Sequence, residues 1–463
     1  MRKLGWRLIV DLFLHFELRF SHFEFRFSHR ISSSHFAFRI SLFPMRLIIL
    51  NQFFYPDHSA TSQLMTELAE SLVEQGVQVT ALSGRGRYNG GERLLSRDEH
   101  KGARIWRAWS TSFGKKNIAG RLLDYASFYL GATLAMLRMP RHDIVMALTT
   151  PPLIGLVALL VGRLRGMRVV CLVQDVYPDI AVALGALSAR NPATRILDWV
   201  NRFVLRGVDR TIVLSSCMRD RIAAKVPNRA STIDVIHNWA DGEKIKPVDG
   251  DNPFVKANGL DGKFVVLFSG NLGNVNEFST VLEAANRLSA RTDIVFLFIG
   301  DGAKGGEIRD YAEQHGLTNI RLLTYQPLNL LPFSLAAGDV SLVTLADGLA
   351  GLSVPSKTYG ILAAGRPILF VGDLKSDIAG LVSDNHCGAA VAAGDSARLS
   401  EIILEWSMDK TKIRGLGVEA RKLFDKRFDR ASAISAYVQS FNKCMETEPR
   451  PLRSALVPVT SDK

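Results

Sequence analysis

Phe264-Val265-Val266-Leu267-Phe268-Ser269-Gly270-Asn271-Leu272-Gly273-Asn274 sets the frame for the whole chain. Five apolar residues run without a polar break and stop at a loop holding two glycines. Such a run, bounded by turn residues, predicts a strand buried on both faces, as in a parallel sheet flanked by helices. The glycines let backbone amides approach a phosphate, and the start of a following helix adds favourable partial charge. An ordinary tight turn has the same composition, so the loop by itself leaves both readings open.

The pattern repeats downstream. A strand over 294–299 leads into Gly300-Asp301-Gly302-Ala303-Lys304-Gly305, which fits the dinucleotide fingerprint G-x-G-x-x-G. That fingerprint requires an acid at the end of the next strand to hold a ribose. The strand over 320–323 ends instead in Thr324-Tyr325-Gln326, which argues against a nicotinamide or flavin cofactor. Between strands over 340–344 and 367–371 lies the loop from Gly351 to Pro367. There Ser356 and Lys357, at a predicted helix start, offer a hydroxyl and a charge to an anionic diphosphate. A capped surface helix is the alternative.

Upstream, Arg46-Leu47-Ile48-Ile49-Leu50, a helical spacing of Leu64, Leu68 and Leu72 ending at Gly76, and Val77-Gln78-Val79-Thr80-Ala81-Leu82 make a strand–helix–strand unit. Strands over 143–148, 168–173, 211–214 and 233–236 continue it. The most apolar stretch, 152–161, is too short to span a bilayer, which takes roughly 20 residues. The expected fold is therefore α/β, with two Rossmann-like, doubly wound parallel-sheet domains facing a cleft. Their strand-to-helix loops form the cleft walls. The expected divisions are an acceptor-side domain over 45–245, a polar linker over 246–262 and a donor-side domain over 263–430. A final helix over 431–446, able to cross back onto the first domain, and a loose tail over 447–463 complete the chain. Residues 1–44 do not fit this plan. They hold four of the ten histidines and the imperfect repeat His15-Phe16-Glu17-Leu18-Arg19-Phe20-Ser21 and His22-Phe23-Glu24-Phe25-Arg26-Phe27-Ser28. They are expected to be an extension without functional consequence, with Met45 as the true start.

Apolar residues make up 47% and charged residues 22% of the chain, a globular composition. The four cysteines are widely separated and none lies in C-x-x-C, which suggests reduced thiols and a cytoplasmic location. The net charge of +12 is uneven: 45–245 has 26 basic and 17 acidic residues (+9), and 1–44 has 7 and 3 (+4), leaving −1 for the rest. No zinc finger, helix-turn-helix or aromatic RNA-binding pattern accompanies the basic half, so nucleic acid is not the expected partner. A membrane surface or a lipid-diphosphate substrate fits better, with general solubility as the plain alternative.

The C-terminal half resembles the family 4 glycosyltransferases of GT-B fold, most nearly the bacterial group acting in O-antigen, capsule and exopolysaccharide synthesis. The matching stretches are Phe268-Ser269-Gly270-Asn271-Leu272-Gly273, Phe298-Ile299-Gly300-Asp301-Gly302, Leu323-Thr324-Tyr325-Gln326-Pro327, Val354-Pro355-Ser356-Lys357 and Ala363-Ala364-Gly365-Arg366-Pro367. Phe53-Phe54-Tyr55-Pro56-Asp57, Gln174-Asp175-Val176-Tyr177-Pro178-Asp179 and Asn238-Trp239-Ala240-Asp241 extend the likeness into the N-terminal half. The resemblance implies retaining transfer of a sugar from a nucleotide diphosphate sugar, with the donor held by the C-terminal domain. It implies that Gly270, Asn271, Gly273, Ser356 and Lys357 approach the diphosphate, Lys357 also serving catalysis. Gly300, Tyr325 and Pro327 would line the base and ribose side. Asp57, His58, Ser59 and Thr61 would form the acceptor and sugar loop, and Asp175 a catalytic group near the acceptor. The implied acceptor is a polyprenyl-diphosphate-linked saccharide, met in the cytoplasm or peripherally at the inner face of the membrane.

Two departures stand out. Many family members carry E-x7-E, and the corresponding positions here are Leu352 and Gly360; the His that often precedes the aspartate is Gln174. The only D-x-D, Asp249-Gly250-Asp251, lies in the polar linker and is expected to be a solvated loop, so no metal or other cofactor is expected. Without a metal, the charge developing on the leaving phosphate must be met by a cationic side chain, hydroxyls and backbone amides. Two rival readings are a sugar-nucleotide epimerase of the same architecture and a non-catalytic nucleotide-sugar-binding subunit.

Overall fold

The computed structural model describes residues 44–57, 59–88, 91–113, 118–248, 250–448 and 450. The extension before Pro44, His58, Asp249 and residues 451–463 lie outside these. The N-terminal half contains β1 (Arg46–Leu50), α1 (Ala60–Glu74), β2 (Gln78–Gly84), β3 (Arg97–His100), β4 (Ala103–Ala108), α2 (Ile118–Arg138) and β5 (Ile144–Ala147). It continues with α3 (Ile154–Leu164), β6 (Arg168–Val173), α4 (Asp179–Ala183), α5 (Pro192–Gly207), β7 (Arg210–Val213), α6 (Ser216–Lys225) and β8 (Ile233–Val235). Its strands form one sheet in the order β3-β4-β2-β1-β5-β6-β7-β8. All pairs are parallel except β3–β4, an antiparallel hairpin at the edge. That hairpin departs from the all-parallel expectation. Its outer strand, Arg97-Asp98-Glu99-His100, has no apolar face to bury.

The C-terminal half begins with α7 (Pro253–Ala257), which seats Phe254 in an apolar cluster with Val265, Leu267 and Leu297. Part of the polar span over 246–262 is thus packed structure. Then follow β9 (Phe264–Ser269), α8 (Ser279–Arg287), β10 (Ile294–Ile299), α9 (Gly305–Gln314), β11 (Ile320–Leu323), α10 (Leu331–Ala336) and β12 (Val340–Thr344). After these come α11 (Lys357–Ala363), β13 (Ile368–Val371), α12 (Asp377–Asp384), β14 (Gly388–Val391), α13 (Ser396–Met408), α14 (Lys410–Arg427) and α15 (Arg430–Glu446). The second sheet, β11-β10-β9-β12-β13-β14, is wholly parallel. The order in each sheet reverses at its first strand, β1 and β9. Crevices at the strand carboxyl ends arise at such reversals.

The two halves share one apolar core. Leu47–Leu50 and Val169–Val173 belong to the same buried cluster as Leu345, Leu352, Tyr359, Tyr437 and Phe441. Burial of a side chain of this size contributes about 1.5–3 kcal/mol, so the cleft floor is held largely by packing. The final helix α15 packs on α1 of the N-terminal half. Arg430 Nε donates to Ser71 Oγ at 2.9 Å, and Ser440 Oγ donates to Asp234 at 2.7 Å. Beside them Trp239 donates to Glu67 at 2.8 Å.

Candidate functional site

The wall expected to take the donor, the donor-side wall, is made by the loops after β9, β10, β11 and β12. The first two loops interlock through their backbones. Gly270 N donates to Ile299 O, Leu272 N to Asp301 O and Lys304 N to Leu272 O, each at 2.9 Å. A Cβ at Gly300 (φ +146°) would stand 1.9 Å from the Gly270 carbonyl oxygen, so only glycine permits this contact. The G-x-G-x-x-G spelling here therefore serves loop-to-loop packing.

Behind these loops sits Asn276, which the sequence reading passed over. Its Nδ2 donates to the carbonyls of Asn271 and Gly273 at 3.0 Å each. Its Oδ1 accepts from Thr344 Oγ1 and from Lys357 Nζ at 3.2 Å each. Its own carbonyl accepts from Lys304 Nζ at 2.9 Å. One amide thus ties the phosphate-side loop to β12 and to the first residue of α11. The only cue in the sequence was its place three residues beyond Gly273 in an already suspect loop.

Lys357 projects its Nζ over the Phe268 ring, 3.4 Å from the centroid. Among the described residues it pairs with no carboxylate, and burial pushes its ammonium well below the ordinary lysine range. An ammonium held by a ring face and one amide oxygen retains most of its capacity for an anion. Its stem packs against Gly270, whose added Cβ would lie 3.5 Å from Lys357 Cε. Ser356, exposed and immediately before α11, makes no side-chain bond to the helix end. Gly270, Asn271, Gly273, Ser356 and Lys357 are thus brought together. Tyr325, 57% exposed, and the exposed Pro327 stand on the loop after β11. Burial raises the Tyr325 phenol, and Asp301 beside it adds to that.

The opposite wall, expected to face the acceptor and called the acceptor-side wall, is organised differently. Asp57 is buried, and both its oxygens are engaged: Oδ1 accepts from Ser59 N at 2.8 Å and Oδ2 from Tyr88 N at 2.6 Å. Its carboxylate shapes the loop it sits in. Ser59 precedes α1 with a buried hydroxyl that has no partner among the described residues, and Thr61 lies half-buried in the first turn. His58 lies outside the described residues. Arg121, in the first turns of α2, donates to Tyr125 Oη at 3.1 Å, and that bond raises it, with Tyr177 and Tyr88 contributing. The sequence reading did not single out Arg121, because one arginine in a basic half carries no signal.

The walls meet at Asp175. It forms an antiparallel bridge with Ser353, and Val176 N donates to Leu352 O at 2.9 Å. Burial pushes the Asp175 carboxyl up, opposed by a hydrogen bond from Ser353. Leu352 is 4% exposed, so this position of the missing glutamate pair is filled by core packing. At Gly360 an added Cβ would face Leu335 and Ile245, both apolar. Nearby, Cys217 N donates to both carboxylate oxygens of Asp377 at 3.1 and 3.2 Å, a second tie across the cleft. All four cysteines are free thiols. Asp251, from the linker D-x-D, is exposed and paired with Lys256 at 2.6 Å.

Comparison with known proteins agrees with this geometry. Residues 60–239 match the glycosyl transferase 4-like domain, and residues 263–409 match the glycosyl transferases group 1. The chain is 31% identical over 318 residues to the probable glycosyltransferase WbjE of Pseudomonas aeruginosa, covering 68% of this chain and 76% of that protein. It is 24% identical to the putative colanic acid biosynthesis glycosyl transferase WcaI of Escherichia coli K12, over 75% of this chain and 88% of that one. Among solved structures, Anabaena HepE in complex with UDP and glucose superposes with a TM-score of 0.66 at 16% identity, covering 86% of this chain and 100% of HepE. The interlocked donor loops, the paired sheets and these matches together show that the chain belongs to the family 4 glycosyltransferases of GT-B fold.

Proposed function

We propose that this glycosyltransferase moves a sugar, with retention, from a nucleotide diphosphate sugar to a lipid-diphosphate-linked saccharide during bacterial surface-polysaccharide assembly. The names of the relatives support the pathway class, and the basic N-terminal half supports an anionic, lipid-linked acceptor. The HepE complex supports a nucleotide-sugar donor. The observation that carries the reading is Lys357: a cation without a carboxylate partner among the described residues, held by Asn276 and Phe268 beside Gly270.

In the proposed reaction the bond from the anomeric carbon to the β-phosphate oxygen breaks as the bond to the acceptor oxygen forms on the same face. The acceptor proton passes to the departing phosphate. Lys357, Ser356 and the amides of 270–273 meet the developing charge, and no metal is required. Asp175, linked to Ser353 at the meeting of the two walls, positions the acceptor side.

Calorimetric titration with UDP, GDP, ADP and dTDP, with Mg²⁺ and with EDTA, tests this reading. One nucleotide is expected to bind equally well in both, and Lys357→Ala to abolish that binding. The same substitution is expected to lower transfer to a membrane-extract acceptor by about 10²–10³-fold. Binding that needs Mg²⁺, or near-normal transfer by Lys357→Ala, would overturn it.

A further inference from the structure

The cleft lies at the carboxyl ends of the strands. The amino ends of β6, β7 and β8, at the far edge of the N-terminal sheet, gather a different set of side chains. Six arginines come together there. Arg163 stands near the end of α3, Arg168 at the start of β6, Arg206 near the end of α5 and Arg210 at the start of β7. Arg229 lies in the 3-10 turn Pro227–Thr232 ahead of β8, and Arg450 lies beyond α15. Two aspartates answer them, and both are fully engaged. Asp209 accepts from Arg163 Nη1 and Val169 N through one oxygen, at 2.7 Å each, and from Arg450 N through the other at 3.3 Å. Asp234 accepts two bonds from Arg210 at 2.6 Å each and one from Ser440 Oγ at 2.7 Å.

The remaining four arginines pair with no carboxylate among the described residues. Arg168 Nε donates to Cys444 O at 3.1 Å, and Arg450 Nη1 to Arg206 O at 3.4 Å. Arg229 Nη2 donates to the carbonyls of Val208 and Asp209 at 2.7 and 3.0 Å. The Nε atoms of Arg163, Arg206 and Arg229 are buried with no partner among the described residues. Arginines often cap the carbonyls at helix ends, and α3, α5 and α15 all end here. A helix end carries only about half a negative charge, so three of them offset less than half of the unpaired charge. Glu446 and Glu448 are exposed and form no ion pair with the six arginines. Arg229 is the sharpest case. It is 9% exposed, and burial together with the nearby Arg450 pushes its guanidinium down to about 10. A buried cation of this kind is costly unless an anion is supplied to it.

We propose that this arginine cluster is a binding site for a small multivalent oxyanion, phosphate or diphosphate, free or carried on a metabolite. The half-buried Arg168, Arg206 and Arg450 are the groups that donate to its oxygens. Arg163 and Arg229, buried behind them, supply positive potential. Guanidinium groups match the geometry of such oxyanions and stay charged throughout the accessible pH range. The site is separate from the donor loops, because it lies at the opposite ends of the strands and in the other half of the chain. Its occupant would also have a structural effect. Arg168 and Arg450 join the end of α15 to the N-terminal sheet, so an anion held between them pins the helix that returns from the C-terminal half. This inference does not depend on the donor chemistry.

The test is thermal unfolding of the full chain with added phosphate or diphosphate, against chloride at the same ionic strength. It is run in parallel on the wild type and on Lys357→Met, whose donor loops lack their cation. Both are expected to show the same saturable rise of the midpoint, by about 2 °C or more. Arg206→Gln with Arg450→Gln should weaken the response at least about tenfold in anion concentration. Arg450→Gln alone should weaken it about threefold, and keeps the test open if the double variant unfolds early. Arg414→Gln with Lys426→Gln, which removes the same charge from the exposed side of α14, should respond like the wild type. Glucose 1-phosphate in the same assay separates the sources: binding equal to phosphate assigns a phosphate carried on a metabolite, and binding of inorganic ions alone assigns the free ion. No rise, a rise matched by chloride, or a full response in the double variant would overturn the proposal. So would a rise that disappears in Lys357→Met, which would place the anion in the donor loops.

Discussion

The two walls of the cleft are built by different means. On the donor side the loops interlock through backbone contacts too close for any side chain, with the Asn276 amide behind them, and the half-buried Lys357 pairs with no carboxylate among the described residues. On the acceptor side the loops are held by side chains: Asp57 organises 57–88, Asp124 organises 111–113, and Asp175 reaches across to Ser353. A wall fixed by backbone presents amides in a constant arrangement and suits a ligand part that never changes, such as a diphosphate. A wall fixed by replaceable side chains suits an acceptor that differs from one enzyme to the next.

The contrast can be broken most forcefully at Gly300. Gly300→Ala drives a Cβ into the Gly270 carbonyl, and unfolding in urea should show a loss of about 3 kcal/mol. A loss below about 1 kcal/mol would mean that the loops part easily. Asn276→Ala removes the amide joining the 271–273 loop, Thr344 and Lys357, and should weaken nucleotide binding by about tenfold, or ~1.4 kcal/mol. Affinity measured by calorimetry decides this.

Two smaller effects sharpen the comparison. A buried cation without a countercharge costs stability, so Lys357→Met should raise the stability of the free protein by about 1 kcal/mol while abolishing nucleotide binding. The Asp175 carboxyl is raised in the folded state, so its contribution is favourable at low pH and is lost as pH rises through its folded value. Asp175→Asn should therefore be slightly more stable than wild type at neutral pH, by less than about 1 kcal/mol. The difference should vanish in acid, below the carboxylate range. Thermal unfolding across pH reads both variants.

How much of this was legible in the sequence varied with the kind of structure. The central strands were readable because strands buried on both faces, such as 264–268 and 294–299, must be continuous apolar runs. The glycine loops were readable for the same local reason. α2 was not: Leu122, Leu123, Leu130 and Leu134 point outward, which spoils the helical period on which such a reading depends. The edge hairpin β3–β4 escaped because Arg97-Asp98-Glu99-His100 has no buried face. In the site, Gly270 and Lys357 were visible as types, whereas Asn276 and Phe268 were not. An asparagine in a polar loop and a phenylalanine in a strand look ordinary until the fold places both against one ammonium.

That ammonium is the centre of the account, and its protonation can be counted directly. Its proton affinity is lowered in the free protein, and a diphosphate beside it must restore it. Between the free and bound values, nucleotide binding should therefore take up a proton and weaken as pH rises. The measurement is calorimetric titration of the tightest-binding nucleoside diphosphate from neutral to alkaline pH, at each pH in two buffers of different ionisation enthalpy. The account predicts net proton uptake by the wild type, lost in Lys357→Arg, whose guanidinium stays charged in the free protein and still meets the diphosphate. No uptake, or the same uptake in that variant, would contradict the assignment of Lys357 as the cation that receives the donor diphosphate.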